Sequence, residues 1–179
     1  MLCLLQFCKQ STQKLILQDT NTELKLVNGV LLFKDDPFSG VIESYYNSET
    51  IKSTINYHQG KKQGLEIIWH INDSLGSKRF YDMGLKVGIH KGWWQNGNPK
   101  FVYHFNDNGE YHGNIKEWYE SGILFRDFNY LNGKEAGSQK MMYDTGKIKA
   151  NYEVVNGERF GLIGLKKCYQ VTVGSDEVK

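Results

Sequence analysis

The feature that most constrains the fold is a repeat with a period of about 24 residues. One glycine recurs with this period, and the column of equivalent positions that it defines consists of Gly40, Gly64, Gly88, Gly113, Gly137 and Gly161. A second glycine column keeps the same spacing and consists of Gly60, Gly84, Gly109, Gly133 and Gly157. Independent columns with one period are typical of a tandem array in which every unit is one supersecondary element.

Each unit of the array is predicted to be one β-hairpin. The Asn132-Gly133 pair is typical of a two-residue hairpin turn, in which both residues need a positive φ. Apolar and polar residues alternate over 51–57 and over 148–154, which indicates strands with one face more buried than the other. The glycines of both columns are expected to let the rings of the next hairpin lie close to the backbone.

A second turn in each unit contains glycine in three places, at Gly97, Gly122 and Gly146. The first two units carry Glu49 and Asp73 there instead, so their turns are predicted to close differently.

The composition supports an all-β protein with many turns. Aromatic residues make up 13% of the chain, and there are 19 Gly and only 2 Pro. Aromatic side chains favour pleated, half-buried surfaces, and glycine favours tight turns. The formal net charge of +2 and the absence of long runs of one charge argue against nucleic acid as a partner.

Three segments are predicted along the chain. Residues 1–23 form an N-terminal apolar segment and polar tether, residues 24–169 form the repeat array, and residues 170–179 form a C-terminal tail. Leu24–Phe33, with its Asn28-Gly29 turn, is interpreted as the hairpin that caps the array.

The N-terminus permits two interpretations. The sequence MLCLLQFC followed by KQSTQK is similar to the end of a bacterial lipoprotein signal, which makes Cys8 a candidate for lipidation and places the protein in the cell envelope. Two departures oppose this, because no basic region precedes the apolar run and Phe7 stands where a small residue is wanted. The alternative is an ordinary N-terminal segment of a cytoplasmic protein. Cys8, Cys3 and Cys168 are too few and too scattered for a disulfide framework or a zinc site.

The sequence carries no catalytic motif. It has no phosphate-binding loop with Lys-Ser/Thr, no Gly-x-Ser-x-Gly elbow and no His-Glu-x-x-His. The five histidines occupy different columns of the repeat and recur beside neither cysteines nor paired carboxylates. The protein is therefore expected to be no enzyme and to need no cofactor or metal.

The repeat resembles the MORN repeat in its bacterial variant form. The pattern Tyr-x-x-Gly-x-x-x-Gly occurs at Tyr57–Gly64, Tyr81–Gly88 and Tyr130–Gly137, and the resemblance covers roughly residues 30–169. It implies an elongated, single-layer antiparallel β-meander. It also implies a scaffold that acts through dimerisation or protein contacts, in some members at membranes. Bacterial proteins of this kind are often labelled YwqK-type antitoxins, which implies neutralisation of a toxin by direct contact.

Bulky residues that follow the first glycine column are the candidate binding residues. These are Trp69, Trp93, Trp94, Trp118 and Tyr119. Adjacent residues of a strand point to opposite faces, so Trp93 and Trp94 are expected to place one indole on each face. One interpretation is that such aromatic residues form the core of the array itself. The other is that part of the stripe is exposed and binds another protein or a second copy of the chain.

Overall fold

The computed structural model describes residues 14–164, which form sixteen β-strands and no helix. The first eight strands are β1 (Ile16–Gln18), β2 (Leu24–Val27), β3 (Val30–Phe33), β4 (Asp36–Pro37), β5 (Gly40–Tyr45), β6 (Ile51–His58), β7 (Lys61–Trp69) and β8 (Leu75–Asp82). The other eight are β9 (Leu85–Lys86), β10 (Gly88–Trp93), β11 (Pro99–Phe105), β12 (Gly113–Trp118), β13 (Leu124–Leu131), β14 (Lys134–Met142), β15 (Ile148–Val155) and β16 (Glu158–Leu162). Over the same residues, no helix has the length and apolarity needed to cross a bilayer. Cys3, Cys8, Cys168 and the predicted tail lie outside the described residues.

The strands belong to two sheets. One contains thirteen strands in the order β1-β5-β6-β7-β8-β10-β11-β12-β13-β14-β15-β16, with β9 paired to β8. Neighbours in this sheet follow one another along the chain and are antiparallel from β5 onward. The strands β2, β3 and β4 form a separate small sheet. The all-β meander of tandem hairpins predicted from the sequence is therefore confirmed.

Strand β1 is the one element of the large sheet that the repeat did not predict. It lies within the segment interpreted as a tether and pairs with β5 in parallel, with Ile16 opposite Val41. Gly40 makes this pairing possible, because a Cβ atom there would lie 2.2 Å from the carbonyl oxygen of Leu15. Glycine is thus required at position 40 because a larger residue would collide with the main chain of Leu15.

The other members of the first glycine column are required mainly for their backbone conformation. Gly64 has φ of +77° and an added Cβ would meet nothing within 4 Å, so the expected close approach of rings does not explain it. The glycine lies in a bulge, where the β6–β7 register passes from Ile55 opposite Glu66 to Tyr57 opposite Lys62. A residue with a Cβ is strained at such a φ.

The turns agree with the sequence in all but one detail. Asn132 and Gly133 have φ of +47° and +77°, as expected of the hairpin turn predicted there. Asp73, at φ of +61°, closes its turn as Gly97 does in the next unit, so the prediction of a different closure was wrong at this position. An aspartate tolerates the left-handed conformation that glycine adopts elsewhere. At Glu49 the turn does differ, since Asn47 Oδ1 accepts the Glu49 and Thr50 amides.

One row of side chains across the large sheet is among the most buried parts of the described chain. It lies two residues after the first glycine column and consists of Ile42, Glu66, His90, Ile115 and Gln139, which are at most 6% exposed. Aromatic rings pack beside this row. The His90 ring, for example, lies 4.6 Å from Phe105 and 5.6 Å from Tyr81, centroid to centroid. A single-layer sheet thereby obtains a buried face from its own large side chains.

Two polar members of this row bind main-chain groups ten residues earlier in the chain. Gln139 Nε2 donates to the Asn129 carbonyl at 2.8 Å, and the Asn129 amide donates to Gln139 Oε1 at 3.2 Å. His90 Nε2 lies 2.8 Å from the Phe80 carbonyl oxygen and 3.1 Å from the Phe80 amide nitrogen. Asn129 is skipped in the β13–β14 register, so Gln139 supplies partners that the ladder does not.

Candidate functional site: an aromatic groove beside a basic cavity

Each unit carries two adjacent residues that we call its bulky pair, namely Tyr45–Tyr46, Trp69–His70, Trp93–Trp94, Trp118–Tyr119 and Met142–Tyr143. In the first four pairs the second residue links its hairpin to the following one. Its side chain binds the main-chain carbonyl of the first bulky residue in the next unit. The four bonds are Tyr46 Oη to Trp69 O at 3.0 Å, His70 Nε2 to Trp93 O at 3.0 Å, Trp94 Nε1 to Trp118 O at 3.0 Å and Tyr119 Oη to Met142 O at 3.1 Å. We call this set the staple ladder. Trp94 and Tyr119 therefore have a structural role whether or not they contact a partner.

An apolar recess in the middle of the array is lined by rings from two successive units, the hairpins β10–β11 and β12–β13. We call it the aromatic groove and define it by Trp94, Phe101, Tyr103, Trp118, Tyr119 and Phe125. Its volume is about 400 Å³. The Tyr119 and Phe125 rings meet edge to face at 5.1 Å, and Lys100 Nζ lies 4.3 Å from the Trp94 ring centroid. Such a recess can hold an apolar or aromatic side chain from another molecule.

Gly92 determines how the floor of the groove is built. A Cβ atom at Gly92 would lie 2.2 Å from Cε1 of Phe101, so the Phe101 ring rests directly on strand β10. The Tyr103 ring stacks on Phe101 at a centroid distance of 4.5 Å and an interplanar angle of 12°. The strand pairing that aligns these residues places Gly92 opposite Phe101 and His90 opposite Tyr103. The floor is consequently held by backbone contact and stacking before any ligand binds.

A half-buried polar cluster adjoins the groove. Tyr103 Oη donates to Glu117 Oε1 at 2.9 Å, and Arg126 lies 3.5 Å from the same oxygen. Burial, followed by the hydrogen bond and the charge of Glu117, raises the pKa of the Tyr103 hydroxyl well above its usual range. Tyr103 therefore remains a neutral donor to Glu117 at physiological pH and offers the groove its ring.

A second recess, with a volume of about 320 Å³, adjoins the groove. We call it the basic cavity, and its lining consists of Arg79, Lys86, His90, Lys100, Phe101, Tyr103 and Phe105. Lys100, Phe101 and Tyr103 belong to both recesses, so the two are neighbours. Burial is the main cause that lowers the pKa of His90, and the charges of Arg79 and Lys86 lower it further. His90 is thus neutral near pH 7, and the charge of the cavity comes from Arg79, Lys86 and Lys100.

The structure brings together only part of the predicted binding set. Trp94, Trp118 and Tyr119 line the groove, whereas Trp69 and Trp93 line neither recess. The carbonyl groups of Trp69 and Trp93 instead accept bonds of the staple ladder. The sequence did not predict Phe101, Phe125 or the three cationic residues as site residues. The one available signal was Gly92, which has no side chain although its neighbours in the sequence are bulky.

Histidines and acidic side chains do not converge elsewhere in the described part of the chain. Over residues 14–164, no group of three or more His, Cys, Asp or Glu side chains is placed to hold a metal ion.

The chain matches no model of a known protein family, and no curated protein has a significantly similar sequence. Interpretation of function consequently depends on the geometry of the groove and the cavity.

Proposed function

We propose that the protein is a non-catalytic repeat scaffold that binds another protein through the aromatic groove. The observation that carries this proposal is the open recess of Trp94, Phe101, Trp118, Tyr119 and Phe125. Burial of apolar side chains is the main favourable contribution to protein association, and aromatic residues are enriched among those that dominate binding energy. The stacked floor and the staple ladder keep the groove in one shape, which lowers the entropy that binding costs.

A second binding mode, self-association, is favoured by the C-terminal edge of the large sheet. Among residues 14–164, strand β16 has a partner on one side only, and all five of its residues are exposed. Phe160 and Leu162 are 55% and 49% exposed. An exposed strand edge with apolar side chains can pair with the same edge of a second copy.

Two narrower functions remain predictions from the resemblance and the N-terminus. Neutralisation of a toxin would make the partner in the groove a toxin protein. Attachment to the cell envelope would depend on lipidation of Cys8, which lies outside the described residues.

Site-specific photo-cross-linking tests the proposed groove. A benzophenone amino acid replaces Phe125 in the groove or, as a control, Ile89, which is exposed on a strand outside it. In cells of the source organism, we expect a discrete protein adduct from position 125 and none from position 89. The adduct should be lost when Trp118→Ala is introduced, because the groove then lacks one wall. Adducts of equal intensity at both positions, or none at 125, would contradict the proposal.

A further inference from the structure

The basic cavity has an excess of positive charge that its own lining does not neutralise. Arg79, Lys86 and Lys100 converge on it, and no carboxylate lines it. Neither Lys86 nor Lys100 forms an ion pair with another residue in the 14–164 range. Two like charges beside one recess repel each other, and a bound anion would relieve that repulsion.

The carboxylate nearest to Arg79, that of Glu66, is already engaged. Glu66 is 2% exposed, and its Oε1 lies 2.5 Å from Lys62 Nζ. The other oxygen, Oε2, accepts a bond from Tyr81 Oη at 3.3 Å and lies 3.4 Å from Arg79. Since Lys62 and Tyr81 already satisfy Glu66, the long contact leaves most of the guanidinium of Arg79 available to an anion.

Aromatic rings hold the three cations in place. The Arg79 guanidinium lies 5.8 Å from the Phe101 ring, Lys86 Nζ lies 5.7 Å from the Phe105 ring, and Lys100 Nζ lies 4.3 Å from the Trp94 ring. Cation–π contacts of this kind orient a charged head without neutralising it. The positive charges are therefore arranged around the cavity before a ligand enters.

The charges are distributed unequally over the two neighbouring recesses. One is the basic cavity, and the other, the aromatic groove, is lined by Glu117 and Glu120. Glu117 is bound by Tyr103 and Arg126, which leaves Glu120 as the exposed acid. A bound segment would meet positive charge at one end and a carboxylate at the other, so its own charges decide its direction.

We propose that the basic cavity binds an acidic side chain of the protein segment whose apolar or aromatic residue occupies the adjoining groove. This inference rests on the proposed function and specifies its partner: an acidic segment with an apolar anchor next to an aspartate or glutamate. The carboxylate takes the position between Arg79, Lys86 and Lys100, and the anchor packs on the Phe101–Tyr103 stack. The anchor supplies most of the affinity, and the carboxylate supplies direction and specificity.

Selection from a random peptide library tests the inference. The full chain is the immobilised bait, and the displayed peptides have about twelve residues, which span roughly 40 Å when extended. We expect the enriched peptides to share an aromatic or large apolar residue with Asp or Glu at a fixed spacing. Enriched peptides that carry the apolar residue without the acid would overturn the inference and leave the proposed function standing. If no peptide is enriched, or if enrichment persists on a Trp118→Ala bait, both fail.

Variants of the cavity give the quantitative test. For a selected peptide, Lys86→Ala and Lys100→Ala should each weaken binding about threefold to fivefold in fluorescence polarisation, and added salt should reduce this difference. Lys78→Ala is the matched control, because Lys78 precedes Arg79 on strand β8, is exposed and lines neither recess. An equal loss in the Lys78 variant would mean that the peptide responds only to net charge.

The imidazole of His90 reports the position of the bound carboxylate. Its neighbours with charge or a titratable group are Arg79, Lys86, Tyr81 and Tyr103. A carboxylate in the cavity favours the protonated imidazole, so the pKa of His90 measured by NMR should rise when the peptide binds. A pKa that stays unchanged in the complex would place the acid outside the cavity and overturn the inference.

Discussion

At the level of single residues, two equivalent serines differ in one hydrogen bond. Ser53 and Ser77 are 8% and 4% exposed. The Ser53 hydroxyl is bonded to Ser44 at 2.7 Å, whereas the buried Ser77 Oγ has no hydrogen-bond partner within residues 14–164. We expect Ser53→Ala to lower the free energy of unfolding by about 1 kcal/mol, because Ser44 loses its partner. Ser77→Ala should have no effect or raise it by up to about 1 kcal/mol, because a hydroxyl that gains nothing from burial is removed.

Urea unfolding followed by tryptophan fluorescence measures both variants. Equal destabilisation by the two substitutions would show that the hydroxyl of Ser77 is satisfied in solution, contrary to this expectation.

Single residues also show where prediction from sequence was least accurate. The bulky pairs were recognisable, but the ladder bond of Trp94 depends on the position of a carbonyl 24 residues later, at Trp118. Likewise, Glu66 and His90 occupy the most buried column, where a hydrophobic pattern predicts apolar side chains. Only the arrangement of partners such as Lys62, Arg79 and Phe80 explains why polar groups are tolerated there.

At the level of the strand pair, a buried side chain hydrogen-bonds main-chain groups that have no partner in the neighbouring strand. Gln139 binds both the amide and the carbonyl of Asn129, ten positions earlier. The single Nε2 atom of His90 serves one of the two groups of Phe80 at a time; as an acceptor it binds the Phe80 amide, while the Phe80 carbonyl also accepts from the Val87 amide. We therefore expect His90→Gln to preserve the free energy of unfolding at pH 7.5 to within about 1 kcal/mol, since an amide both donates and accepts. His90→Leu should lower it by about 1 to 3 kcal/mol, because the Phe80 amide loses its partner.

The same pair of variants should differ from the wild type in pH dependence. Burial lowers the pKa of His90 in the folded protein below the value of about 6.5 in the unfolded chain. Between these two pKa values the unfolded chain binds more protons, so the stability contributed by neutral His90 is present above about pH 6.5 and is lost as the pH falls. The wild type should thus lose more stability than His90→Gln between pH 7 and pH 5. Parallel curves for the two proteins would contradict this assignment.

Individual elements were predictable in proportion to their local signals. The Asn132-Gly133 turn and the strands that flank it follow from residue preferences and were confirmed. Strand β1 was not predicted, because a three-residue strand has almost no pattern of its own and pairs with β5 across a long stretch of chain. The Asp73 turn was misjudged because aspartate was not considered as a substitute for glycine at positive φ.

For the whole molecule, the array predicts a gradient of stability from the middle to the ends. Strands such as β8 and β12 are paired on both sides, whereas β16 has every residue exposed and, within the described range, one neighbour. In a linear array each unit is stabilised only by the units beside it. We expect amide hydrogen exchange in β7–β13 to be at least about tenfold slower than in β15–β16.

Hydrogen-exchange mass spectrometry measures this gradient. Truncation after Val155 serves as the comparison, and it should accelerate exchange in β14 and β15 while β7 and β8 stay unchanged. Uniform exchange along the chain, or acceleration everywhere after truncation, would indicate one cooperative unit instead of a linear array.

The overall architecture was predictable because equivalent positions carry similar residues in several successive units. All positions of a column have the same structural role, so one exception such as Asp73 does not hide the pattern. The candidate site was less predictable for the same reason. The groove and the cavity arise where units differ from one another, at Gly92, Phe101 and Lys86, and a pattern of similarities does not reveal differences.

The staple ladder has a consequence for how such a gene can change. Every bond of the ladder has its donor in one unit and its acceptor in the following unit, and the four bonds have the same direction. An in-frame duplication or loss of one complete unit therefore joins a donor to an acceptor at the new boundary. Chains of different length can arise by recombination between repeats without the invention of a new contact. The acidic and basic residues that distinguish the middle units can then change while the hairpins and the staple ladder stay the same.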